Sequence, residues 1–133
     1  MNRDEVNQVQ ADLWQWQNKQ LPLRVKGLSD EEVAALPERV RFEMQQDRLI
    51  KGMVEELGEL SHATLKDAQG IRYTPEQVVE MRTDALADVL IYGANLASHW
   101  GISMFDVYKT VAMKILKRDW STRPIDANKM SDE

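Results

Sequence analysis

A chain of 133 residues, 43% hydrophobic and 29% charged, has the size of one domain and the composition of an ordinary globular protein, which excludes a disordered or fibrous chain. The formal net charge of −5 argues against a partner such as polymeric nucleic acid, because affinity for the phosphate backbone rests on Lys and Arg. The absence of cysteine excludes disulfides and thiolate metal sites, so any metal has to be held by oxygen or imidazole.

The first element expected is an amphipathic helix from about Asp4 to Gln20, with Val6, Val9, Leu13 and Trp16 at helical spacing. Its start, Met1-Asn2-Arg3-Asp4-Glu5, is polar and leads into no short apolar core, so a signal peptide is not expected and a cytoplasmic location is. Trp14 falls off the apolar stripe, as a second packing face or interface anchor or, alternatively, as a platform for base stacking. Pro22 and Gly27 then break the pattern, and Ser29-Asp30-Glu31-Glu32 has the form of a capping box that opens a short helix stopped by Pro37.

From Pro37 to about Lys66 the spacing predicts one long helix. Ile50, Met53, Leu57 and Leu60 share its apolar face, Glu55, Glu59 and His62 point away, and Gly52, Glu56, Glu59 and Ala63 form the flank. That phase leans towards solvated acids, while the small Gly52 and Ala63 would let another helix or a ligand approach the flank closely. Gly70 is the expected C-terminal cap, and Thr74-Pro75-Glu76-Gln77 starts a helix to about Trp100 that is apolar nearly all round and therefore expected to be buried. Asp84, Asp88, Asn95 and His99 lie in one narrow stripe of it, with Tyr92 at the edge, and their polarity also argues against a membrane span. Ionised carboxylates in such a stripe need a cation, a basic partner or a water-filled cleft. Gly101 closes this helix, and Ser103-Met104-Phe105-Asp106 has the form of another capping box. The last helix is expected to bury Val107, Val111, Ile115 and Trp120 and to carry Lys114, Lys117 and Arg118, with residues 121–133 as a frayed tail.

The expected fold is thus a single all-α domain over residues 1–120, a helical bundle of four to five helices completed by dimerisation, because an apolar helix such as 85–100 needs cover on several sides. Within it, Glu55, Glu56 and Glu59 on one helix and Asp84 and Asp88 on the next can hold divalent ions if the two helices pack side by side. An oxygen-only donor set favours Mg²⁺, with Mn²⁺ possible, and such sites with open positions suit phosphate chemistry.

Glu55-Glu56-Leu57-Gly58-Glu59-Leu60 followed by Asp84-Ala85-Leu86-Ala87-Asp88-Val89-Leu90 resembles the EExxE…ExxD pattern of the MazG-like all-α nucleotide pyrophosphohydrolases, over roughly Arg39 to Trp120. The resemblance implies Mg²⁺ held by the motif acids and attack of water on a nucleoside triphosphate, giving a monophosphate and pyrophosphate, in a homodimer or homotetramer. It gives Glu55, Glu56 and Glu59 as catalytic and metal-binding residues and Asp88 as a metal ligand. The second motif's Glu falls on Ala85, and Asp84, one turn before Asp88, is the substitute. Tyr92, Asn95 and Lys114 are nucleotide-contact candidates by position, and Lys117 and Arg118 belong to the segment that corresponds loosely to the family's later motif. The Glu59-x-x-His62 pair has the form used in di-iron bundles, but no second such pair is present. The competing expectation is a non-catalytic helical dimerisation or interaction protein with a degenerate metal site.

Overall fold

The computed structural model of the chain describes residues 1–119 and 121. Among them every regular element is a helix: α1 (Arg3–Gln20), α2 (Asp30–Ala34), α3 (Glu38–Gln69), α4 (Pro75–His99) and α5 (Met104–Leu116). The expected all-α bundle is therefore what forms. The expected burial of Trp120 and the expected tail lie outside the described residues, Ser121 apart.

Local signals account for most helix starts. Asn2, Ser29 and Thr74 each accept a hydrogen bond from the backbone three residues on, and Glu5, Glu32 and Gln77 return it in capping boxes. The box expected at Ser103 forms only by half. Ser103 Oγ accepts from the Asp106 backbone at 3.2 Å, but the Asp106 carboxylate is taken by Arg3, whose guanidinium donates two bonds of 2.8 and 2.7 Å. That fork ties the first turn of α1 to the first turn of α5. Gly70, with φ of 65°, supplies the left-handed residue that closes α3.

Helices α3 and α4 form an antiparallel hairpin: Asp67 pairs with Arg82 at 3.6 Å near the turn, Gly52 meets Tyr92 midway, and Phe42 stacks on His99 at the far end. Gly52 is needed there, since a Cβ would overlap the Tyr92 ring. The core consists of Leu49 and Ala63 on α3, Val78, Ala85, Leu96 and Ala97 on α4, and Val33 on α2. Helix α1 lies across α4 and is held by glutamines rather than by its aliphatic stripe. Gln10 Nε2 donates to Ser98 Oγ and to the Ile102 carbonyl, while its Oε1 accepts from the Met104 backbone. Gln17 Oε1 accepts from Asn95 Nδ2 at 3.4 Å.

Three burial expectations are corrected. Helix α4 is not covered all round: Leu86 and Leu90 are 52% and 56% exposed, and Trp100 is half exposed with its indole N–H donating to Gln46. On α3 the packed face is the small-residue flank through Gln45, Leu49, Gly52 and Ala63, while Ile50 and Leu57 face outward. Close approach of two helix backbones selects Gly and Ala, which overrides the larger aliphatic stripe. Val107, Val111 and Ile115 on α5 are exposed as well. Among the described residues nothing covers these rows.

Candidate functional site

The hairpin brings the two acidic segments side by side and divides them between two cavities. One, of about 480 Å³, is lined by Glu55, Glu59, His62, Met81 and Asp84. The other, of about 380 Å³, lies towards α1 and is lined by Glu56, Asp88, Tyr92 and Trp16 together with Gln17 and Leu13. Glu56 belongs to both groups electrostatically. Burial of its carboxyl, contact with Glu59, and the charges of Glu59, Asp88 and Glu55 push it up to about 7. Its Oε2 is enclosed and has no hydrogen-bond partner.

The position of Glu56 follows from the packing of α3. Because Gly52 and Ala63 turn inward, Glu56, one turn from Gly52, is carried to the edge of the packed face and is partly buried. Asp88 is partly buried opposite it, whereas Glu55, Glu59 and Asp84 are exposed. The expectation of a buried acidic stripe on α4 therefore holds for part of its length. Asp84 is in solvent, and full burial is reached at Asn95, which is 0% exposed. Among the described residues no group of three His, Asp or Glu side chains already converges as a metal cage. For these acids to share an ion, the long Glu side chains and exposed Asp84 would have to swing together.

Of the expected nucleotide contacts, Tyr92 lines the α1-side cavity, where burial first and then the charges of Glu56 and Glu55 raise its hydroxyl. Asn95 is sealed against Gln17 with its Oδ1 unpartnered and lines neither cavity. Lys114, Lys117 and Arg118 are at the end of α5, which packs on α1 and α4, and line neither cavity either. The aromatic side chain at the site is Trp16, half exposed beside Glu56 and Asp88, rather than Trp14, which packs against His99 at 5.9 Å. His62 faces Tyr73 at 6.1 Å.

The cation that sequence reasoning missed is Arg48. Its Nη1 donates to the Pro22 carbonyl at 2.8 Å, Nε and Nη2 are enclosed without partners, and burial lowers its affinity for its proton. Its charge acts on Tyr92, while Arg48 itself lines neither cavity and is not among the charges that shift Glu56. The available signal was spacing: Arg48, Gly52, Glu56 and Glu59 follow one another at three or four residues along a single flank. Comparison with family models, with curated proteins and with solved structures gave no match to the chain.

Proposed function

We propose that the chain is a Mg²⁺-dependent nucleoside triphosphate pyrophosphohydrolase acting in the cytoplasm, where its substrates are. The observation that carries this reading is the enclosed, unpartnered Oε2 of Glu56, set among Glu59, Asp88 and Glu55 so that its carboxyl is pushed up to about 7. A fold that gathers like charges around an orphan oxygen is stabilised by a cation placed among them. The donors are all hard oxygens and fit Mg²⁺ or Mn²⁺, with Glu56, Glu59 and Asp88 as the central ligands and Glu55 and Asp84 able to swing in.

When bound, the metal would neutralise phosphate charge and polarise water. The chain's own residues supply the rest. A glutamate of this set accepts the proton of the water that adds to the α-phosphorus, as the bond to the pyrophosphate leaving group breaks. Trp16 and Tyr92 give the α1-side cavity an aromatic wall suited to a base.

The test is a pyrophosphate-release screen over ribo- and deoxyribonucleoside triphosphates with Mg²⁺. Activity is expected in the wild type and a loss of at least about a hundredfold in Glu56→Gln and in Asp88→Asn. Activity surviving both substitutions would sink the assignment. The competing reading, a non-catalytic dimerisation protein, is favoured by Ala85 in the second motif and by the unconverged acids. It expects no release from any substrate and no metal-dependent rise in melting temperature.

A further inference from the structure

At the end of the α3–α4 hairpin remote from the turn, α2 and the loop before it border a third cavity, of about 540 Å³, over the first turns of α3. It shares no lining residue with the two cavities at the carboxylates. Its size is that of a small-ligand site, and its walls are largely apolar, with a few polar groups.

One of those groups is out of keeping with the rest of the fold. Gln45 lines the cavity and is 8% exposed, yet neither its Nε2 nor its Oε1 has a hydrogen-bond partner. The other two buried glutamines are engaged, Gln10 through three bonds and Gln17 through Asn95. A buried carboxamide left unpaired at a cavity wall is a donor and an acceptor held in reserve.

Its neighbours narrow the chemistry. His99 also lines the cavity, and one of its ring nitrogens, Nε2, lies 2.9 Å from the Phe42 carbonyl. A carbonyl can only accept, so Nε2 is the donor of that bond. Phe42 stacks on that imidazole with centroids 4.1 Å apart, Arg39 lies over the Phe42 ring at 5.8 Å and Trp14 packs against His99, so both rings are held in place and the pair forms a rigid border to the cavity. Around it the charges are Asp30 and Glu38 against Arg41. That balance disfavours a phosphate or carboxylate ligand and suits a neutral one.

We propose that this cavity binds an uncharged planar heterocycle whose adjacent donor and acceptor pair with the Gln45 carboxamide, the chemistry shared by free nucleobases and nucleosides. Rotation about the Gln45 side-chain torsions turns the amide to the ligand edge, and Val33, Leu23 and the border formed by Phe42 and His99 supply the apolar contacts around the ring. The site stands whether or not the carboxylates bind metal.

The experiment is a titration of the full chain with adenosine, guanosine, cytidine and uridine, followed by amide chemical shifts and calorimetry. Saturable binding of at least one nucleoside is expected, with shifts at Ala34, Phe42, Gln45 and His99 and none at Glu56 or Asp88. Gln45→Leu should fold with a melting temperature at or above that of the wild type, because it removes an unpaired buried amide, and should weaken binding by about tenfold or more. Inorganic phosphate should leave the same resonances unmoved. The proposal is overturned if no nucleoside binds saturably, if the shifts centre on Glu56 and Asp88, if phosphate moves the Gln45 signals, or if Gln45→Leu binds as the wild type does.

Discussion

Glu56 is the residue whose surroundings disagree most with its ordinary chemistry. Burial, and after it the neighbouring acids, push its carboxyl up to about 7 in the folded chain against 4.5 for the free group, the reverse of the usual lowering of carboxylates in folded proteins. Between those values the folded state holds more protons than the unfolded one, so stability falls as pH rises through that window and is fullest below it. Metal-free protein should therefore have a lower denaturation midpoint at about pH 7.5 than at about pH 5.5, and Glu56→Gln should flatten the difference. Millimolar Mg²⁺ should raise the wild-type midpoint at the higher pH and leave Glu56→Gln unmoved. Identical profiles for the two proteins would remove Glu56 from the site. The sequence showed this acid and its neighbours by type and spacing: helical phase turned Glu55 and Glu59 away from the apolar face and set Glu56 on the flank beside Gly52 and Ala63. What phase left open was which partner covers that flank, and the structure puts Tyr92 there, where a Cβ at Gly52 would overlap its ring.

Among the elements, boundaries were the most legible part, because caps are local chemistry: Ser29, Thr74 and Gly70 act where their residue types say they should. What holds the elements to one another was less so. Helix α1 was expected to dock through Val6, Val9, Leu13 and Trp16, yet Val9 and Trp16 are exposed and the buried positions are Gln10 and Gln17. A glutamine that reaches Ser98, Ile102 and Met104 looks, in sequence, like any polar residue of a helix surface. Gln10→Leu should strand those partners and cost about 2–3 kcal/mol in denaturant unfolding. The same exchange at Gln45, where nothing is stranded, should cost nothing. Equal losses at the two positions would refute this account of how α1 is docked. Arg3→Ala, which frees the Asp106 carboxylate from its fork, should loosen the start of α5 and show as faster amide exchange there than in α4.

For the molecule as a whole, the exposed apolar residues are ordered rather than scattered. Ile50, Val54 and Leu57 on α3 and Val79, Leu86 and Leu90 on α4 recur at spacings of three, four or seven, and Val107, Val111 and Ile115 do so on α5. The homodimer or homotetramer expected from the sequence would cover rows of this kind. Sedimentation equilibrium should give a mass of two or more chains at about 10 µM, and Leu90→Glu should lower it; a monomeric wild type would refute the assembly. Among the described residues no helix is long and apolar enough to cross a membrane, so these rows are short of a bilayer span.

The contact of Gly52 with Tyr92 also constrains motion. Gly52 lies one turn before Glu56 and Tyr92 one turn after Asp88, so the closest approach of the two backbones is pinned beside the central acids. Sliding α3 along α4 by a single turn would bring Arg48 or Glu56 against the Tyr92 ring, and neither fits where only a hydrogen atom does. A slide of α3 along α4 by one turn therefore requires the Tyr92 ring to leave its place first, and a rearrangement of the acids that keeps this contact is confined to side-chain torsions, on the nanosecond scale of exposed rotamers.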